Sequence, residues 1–331
     1  MRRARYHLRM ARRLARRAQS CGGSTQARKP SPAPAVNTSN PLAGAKLFID
    51  TDSDAARTER AWRSSRPGDA DLMRKISSNS QADWFVGSQG ESWWRQRIEQ
   101  VYAASSVPVL ILYDIPNRDC GSYNAGGEAA SAEVYRQRVA KIISLLAGRK
   151  AVLILEPDAL PQALDTWCLS VEQRQSRIAL LRETAKTLGA HSNIATYMDA
   201  GQHHWKTAAV MAPALRDAGI EYIRGFSVNV SNFQTTPDMI QFGNEISAAT
   251  GGKHFVVDTS RNGRGPAAND EWCNPLGRGL GERPTTNTAS PAADAYLWLK
   301  RPGDTDGPCN GFPAFSFSAD YALGLASRAA F

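Results

Sequence analysis

The chain has 331 residues, 42% of them hydrophobic and 21% charged, enough for one large domain or two small ones around a sizeable core. No apolar run approaches the roughly 18 residues that a membrane helix needs. The net charge of +9 would suit a nucleic-acid binder, but 11 of the 40 Lys and Arg lie in residues 1–49, which hold no Asp or Glu; the remainder carries 29 bases against 31 acids, so the body should offer no basic face to nucleic acid.

Residues 1–21 begin like the charged part of a signal peptide, without its apolar stretch of about 7–15 residues. Residues 22–45 are rich in Ser, Pro, Ala and Gly, as linkers are. We expect a disordered leader over residues 1–45 and one folded domain over 46–331. From Lys46 short apolar runs alternate with helical patterns. The runs are KLFID (46–50), DWFVGS (83–88), VPVLILYDI (107–115), AVLILEPD (151–158), NIATYMDA (193–200), YIRGFSVNV (222–230), KHFVVD (253–258) and AYLWLK (295–300). Helices are predicted near 91–104, 131–147, 171–189, 205–218 and 236–249. Continuous apolar strands separated by helices predict a parallel sheet covered on both faces.

Most runs end on a polar residue: Asp50, Asp114, Asp158, Asp199, Asn229, Asp258 and Lys300. In a β/α barrel all strand C-termini point to one face, where the site lies. A doubly wound sheet would instead show a glycine-rich phosphate turn after an early strand, and none is present. Seven or eight units predict an α/β barrel, whole or incomplete. Many carboxylates and only five His suit acid–base work by Asp. Glycoside hydrolysis needs a carboxylic acid to protonate the leaving oxygen and a second carboxylate across the bond, together with aromatic platforms for the apolar faces of sugars. Trp84, Trp205 and Trp272 lie where such platforms would be, with core packing as the alternative.

In ILEPDALP (154–161) Pro157 stops ladder bonding and presents Asp158 at the rim beside Leu160, surroundings that raise a carboxyl pKa. The alternative is an Asp that caps a helix. In LYDIPNRDCG (112–121) Asp119 could tune a neighbouring acid by like-charge coupling. In YMDAGQHHW (197–205) adjacent His203 and His204 lack a metal-ligand spacing. In LWLKRPGDTDG (297–307) Lys300 beside Asp304 and Asp306 should favour their ionised forms; a surface turn is the bland alternative. Of five Cys, Cys21 lies in the leader; the other four suit either two disulfides in an oxidising compartment or four buried thiols.

Taken in order, YDIPNRDCG, ILEPDALP, YMDAGQHHW, SVNVSNF, DTSRNGRGP, EWCNPLGRGLG and LWLKRPGDTDG resemble glycoside hydrolase family 6, the inverting β-1,4-glucanases and cellobiohydrolases. The resemblance spans about residues 46–307. It implies a distorted (β/α) barrel of seven parallel strands, with Asp158 as general acid, Asp119 as the carboxylate that tunes it, and Asp306 as the base, which can act through a water chain. It implies Tyr113 beneath the distorted sugar, Trp84, Trp205 and Trp272 as glucosyl platforms, and Asp199, Asn229, Lys300 and Asp304 as polar cleft residues. It also implies disulfides Cys120–Cys168 and Cys273–Cys309. Two positions depart from the family's habit: Gln202 where a His is common, and Asp304 where a Glu is common. The short connection between Cys273 and Cys309 and the compact region after Cys120 predict an open cleft. We therefore expect a secreted, monomeric endoglucanase with a β-1,4-glucan substrate and no cofactor or metal. A cellobiohydrolase and a non-hydrolytic glucan-binding protein are the alternatives.

Overall fold

The computed structural model describes residues 39–121 and 129–331. Seven strands form one all-parallel sheet in sequential order: β1 (Asp83–Phe85), β2 (Val109–Leu112), β3 (Ala151–Leu155), β4 (Ile194–Asp199), β5 (Gly225–Val228), β6 (His254–Asp258) and β7 (Ala293–Leu297). Strictly sequential parallel neighbours, joined by helical crossovers as far as β6 and by a long loop with one 3-10 turn (Ala268–Asp270) from β6 to β7, are the connectivity of a β/α barrel. The sheet curls until its edges meet. Ala82 N–H, just before β1, donates to Trp298 O (2.9 Å) and the Trp84 indole N–H, within β1, to Leu299 O (2.9 Å), both acceptors lying just after β7. No ladder joins those two strands, so the barrel is distorted at this seam.

Alternation along the strands sorts side chains between two cores. Val109, Ile111 and Tyr113 point into the barrel with Val152, Ile154, Tyr197, Val256 and Leu297. Leu110, Leu112, Leu153, Leu155, Phe226 and Phe255 point outward against the helices. After α1 (Asp54–Trp62) and α2 (Pro67–Ser77), those helices are α3 (Gly90–Ala103), α4 (Ala132–Leu146), α5 (Ala159–Ala163), α6 (Val171–Gly189), α7 (Ala208–Asp217) and α8 (Thr236–Ala249). Their starts follow local chemistry: Ser131 caps α4, Ser170 forms a capping box with Gln173 on α6, and Thr235 caps α8 ahead of Pro237. A third core of Ala55, Met73, Ile76, Leu280, Trp298, Tyr321 and Leu325 lies where α1, α2 and α9 (Ala319–Ser327) pack together. Inside the barrel, near the strand N-termini, Asp294 takes Tyr197 Oη–H (2.7 Å) and both ends of the Arg224 guanidinium (2.7 and 2.8 Å), a buried charge held by full pairing.

Two expectations are corrected. The run 46–50 is no strand: it makes one parallel bridge, Leu47 to Val107, before Asp50 and Ser53 turn the chain into the first helix. The linker expected through residue 45 ends earlier, because Leu42 is buried in the barrel core and Asn40 donates to Asp294 O (2.6 Å). Cys21 and residues 122–128 lie outside the described residues.

Candidate active site

The C-terminal ends of the strands are fastened to one another by their own carboxylates. Asp114, after β2, accepts from Gly87 N–H (3.0 Å) after β1 and pairs with Arg138. Glu156, after β3, accepts from Asp114 and Ile115 N–H (3.0 and 3.1 Å) after β2. Asp199, ending β4, accepts from Asp158 N–H (2.9 Å) after β3 and from Gly201 N–H (3.1 Å). Asp258, ending β6, accepts from Ser231 N–H (2.9 Å) after β5 and from Leu299 and Lys300 N–H (3.2 and 3.1 Å) after β7. Asn229 does the same work without charge. It is fully buried, with its amide donating to Asp258 O and Gln234 O (2.8 and 3.2 Å) and accepting from Gln234 N–H (3.0 Å), so it shapes the loop after β5 rather than facing the cleft. Glu156, Asp158, Asn229, Asn117, Asp119 and Cys120 all take positive φ. Such left-handed non-glycine residues are strained and gather at functional sites.

Asp158 is the N-cap residue of α5, yet its side chain makes no cap hydrogen bond. The helix-capping reading of the EPD motif therefore has no bond to support it. Burial, then the carboxylates of Asp199, Asp119 and Asp306, push its pKa well above the ordinary carboxylate range. Leu160, expected beside it, instead packs in the outer core; the desolvation comes from the barrel mouth itself. Asp199 is also raised, chiefly by burial. Asp119 is half-buried and takes a weak bond from Gln162 Nε2 (3.4 Å). Its loop is braced by buried Arg177, which donates to Asn117 O and Pro116 O (2.6 and 3.2 Å).

Asp306 is held the opposite way. Burial by itself would raise it, but Arg261 (2.9 Å), Lys300 (3.2 Å) and Asn274 N–H (3.1 Å) together bring its pKa below the usual value. At Asp304 burial outweighs the charges of Arg301, Lys300 and Arg261, which favour the ionised form as expected of Lys300, and raises its pKa. Arg261 and Asn274 lie within the motifs DTSRNGRGP and EWCNPLGRGLG but are not among the residues the sequence singles out; an Arg and an Asn in glycine-rich loops are the only signal, and nothing in their spacing ties them to Asp306.

Tyr113 is buried with Trp84 edge-on (centroids 5.3 Å apart) and Arg118 stacked on its ring (4.5 Å). Trp205 is half-buried; its indole N–H donates to Asp165 (3.0 Å), and Lys206 pairs with the same carboxylate. Trp272 is 48% exposed. Trp205 and Trp272 sit on separate loops that meet where His204 Nδ1 lies 2.8 Å from Asp270. Gln202 accepts from His204 N–H (2.6 Å), bracing its own turn. Among the described residues no three His, Cys, Asp or Glu side chains converge as a metal site would require. Cys120–Cys168 and Cys273–Cys309 are both bonded, with Cα atoms 5.3 and 6.2 Å apart; the first stands beside Asp119 and the second beside Asn274.

A profile described as Glycosyl hydrolases family 6 matches residues 42–324. Endoglucanase A of Cellulomonas fimi is 41% identical over 260 residues, 77% of this chain and 55% of that protein; the match thus spans about half of that relative's length. Endoglucanase 1 of Streptomyces sp. (strain KSM-9) is 40% identical over 276 residues, 80% of this chain and 75% of that protein. Among solved structures, the endoglucanase Cel6 from Mycobacterium tuberculosis, in complex with methyl-cellobiosyl-4-deoxy-4-thio-β-D-cellobioside, superposes with a TM-score of 0.81 at 42% identity, covering 88% of this chain and 99% of that one.

Proposed function

The chain belongs to glycosyl hydrolase family 6, and from that premise we propose that it is a secreted, inverting endo-β-1,4-glucanase acting on cellulose or related β-glucans. One feature carries the proposal: two carboxyls within electrostatic reach of each other are shifted in opposite directions, Asp158 toward its protonated form and Asp306 toward its ionised form. Paired acids with divided pKa values mark the acid and its counterpart in a glycosidase. Asp158 donates its proton to the glycosidic oxygen as the bond to the anomeric carbon breaks, while water attacks that carbon from the opposite face. Asp306 is a weak direct base, because its donors hold its charge in place. Its part is to keep negative charge near the carbon that becomes positive and to orient the water, whose surplus proton leaves through further water. Asp119 and Asp199 hold Asp158 in its acid form, and Asp199 also positions its backbone.

The sugar would lie over Tyr113 and Trp84, with Trp205 and Trp272 as platforms and Lys300 and Asp304 as polar contacts. An open cleft is supported by the separation of only 36 positions across Cys273–Cys309 and by the exposure of Trp272. The two disulfides suit an oxidising, extracellular setting, and a monomer needs no partner to complete the site. Hydrolysis of carboxymethyl cellulose, followed by viscosity and reducing ends together, tests the reading. Wild type should drop viscosity quickly and Asp158→Asn should lose roughly 10²–10⁴-fold in rate. Reducing ends released with little viscosity change would make it a cellobiohydrolase, and no hydrolysis by folded wild type would make it a glucan-binding protein.

A further inference from the structure

We propose that Trp167 is an outer glucan-binding platform that takes up glucosyl units beyond those held at Trp205, a proposal that rests on reading the cleft as a glucan site. Trp167 is 73% exposed, the most exposed large apolar side chain among the described residues, and no described residue stacks on it or hydrogen-bonds its indole. A single exposed aromatic is ordinary; the mounting of this one is not. Two residues before it, Asp165 takes the Trp205 indole N–H (3.0 Å) and pairs with Lys206. One residue after it, Cys168 is bonded to Cys120, their Cα atoms 5.3 Å apart, and Cys120 adjoins Asp119. The arch 165–168 is therefore pinned at one end to a cleft tryptophan and at the other to the loop that serves the acid.

This short arch carries a rigid ring whose faces are bare. Asp165 is neutralised by Lys206, so the arch presents little net charge. A rigid aromatic with bare faces beside a charge-balanced rim suits the apolar C–H face of a neutral sugar, not an ion. Asp165 engages the edge of the Trp205 indole, so a glucan lying along a face of Trp205 can continue toward Trp167.

The test compares binding of cellotriose and cellohexaose to the full chain carrying Asp158→Asn, with and without Trp167→Ala, by titration calorimetry. Loss of the platform should cut the affinity advantage of cellohexaose over cellotriose by about three- to tenfold, and Trp167→Tyr should restore most of it. An unchanged advantage overturns the proposal. So does an equal loss for both sugars, which would mean that the arch merely supports Trp205. If neither sugar binds even with Trp167 intact, the glucan reading of the cleft falls first and takes this platform with it.

Discussion

Asp158 and Asp306 are the same side chain in one barrel mouth, with pKa values shifted in opposite directions. The loops after β2, β3 and β4 bring Asp119, Asp158 and Asp199 together, and like charges in a desolvated place favour the proton. The loops after β6 and β7 bring Arg261 and Lys300 to Asp306, and opposite charges overcome the same desolvation. Sequential strand order sets the company of these two groups: Asp119, Asp158 and Asp199 come from consecutive strand ends, whereas Arg261 and Lys300 reach Asp306 from the last two. Burial raises both; at Asp158 the neighbouring carboxylates add to it, and at Asp306 Arg261 and Lys300 reverse it.

The largest effect should come from breaking the Asp306 side. Arg261→Met takes the closer cation from a buried carboxylate, leaving Lys300 as its ion-pair partner, and should cost up to about 3–5 kcal/mol in urea denaturation; adding Asp306→Asn should return part of that loss, and an additive double mutant would show that the pair is not coupled. On the other side, Asp199→Asn removes a like charge from Asp158. The acid should then lose its proton more readily, and the alkaline limb of the kcat/KM profile should move to lower pH. A limb that stays in place would mean that burial alone sets Asp158.

Glu156 extends the comparison to stability. Burial, against the N–H groups of Ile115 and Asp114, pushes it up to about 8 from an ordinary value of 4.5. The native state therefore binds more protons than the unfolded chain between those values, and stability falls as pH rises through that window. Glu156→Gln should flatten the fall in denaturation midpoint between pH 4.5 and 8; an unchanged slope would locate the titration elsewhere. The smallest effect belongs to the exposed His204–Asp270 pair. His204→Ala should raise KM for a soluble glucan by less than about fivefold, the measure of an exposed ion pair, with kcat held. A fall in kcat alone would show that the pair serves the acid and not the platforms.

All seven strands and five of the outer helices could be read from the sequence, because continuous apolar runs and helical periodicity are local. The run 46–50 misled because a short apolar segment has no periodicity of its own; only a long-range partner decides, and here it found one residue, Val107. The first helix, Asp54–Trp62, went unread because it is rich in Arg and acids and buries only Ala55, Ala56 and Glu59. At the site, the position of a carboxylate at a strand end was legible, but not its direction. Asp158 is left without a cap bond, whereas Asp114, Glu156 and Asp258 turn to a neighbouring loop's N–H groups. Direction depends on backbone conformation at single residues, such as the positive φ of Glu156 and Asp158, and on pairings across some 30–45 positions of sequence, as between Arg261 and Asp306.

The clasps at the strand ends also set an order of assembly. Gly87 waits for Asp114, the loop of Asp114 and Ile115 for Glu156, and Asp158 for Asp199. Each of these three loops is held by a carboxylate from the strand that follows it, so a chain emerging from the ribosome makes its acid long before it can aim it. A nascent chain ended between β3 and β4 would carry Asp158 on an unfastened loop, and competence would arrive only as the later strands come to rest against the earlier ones.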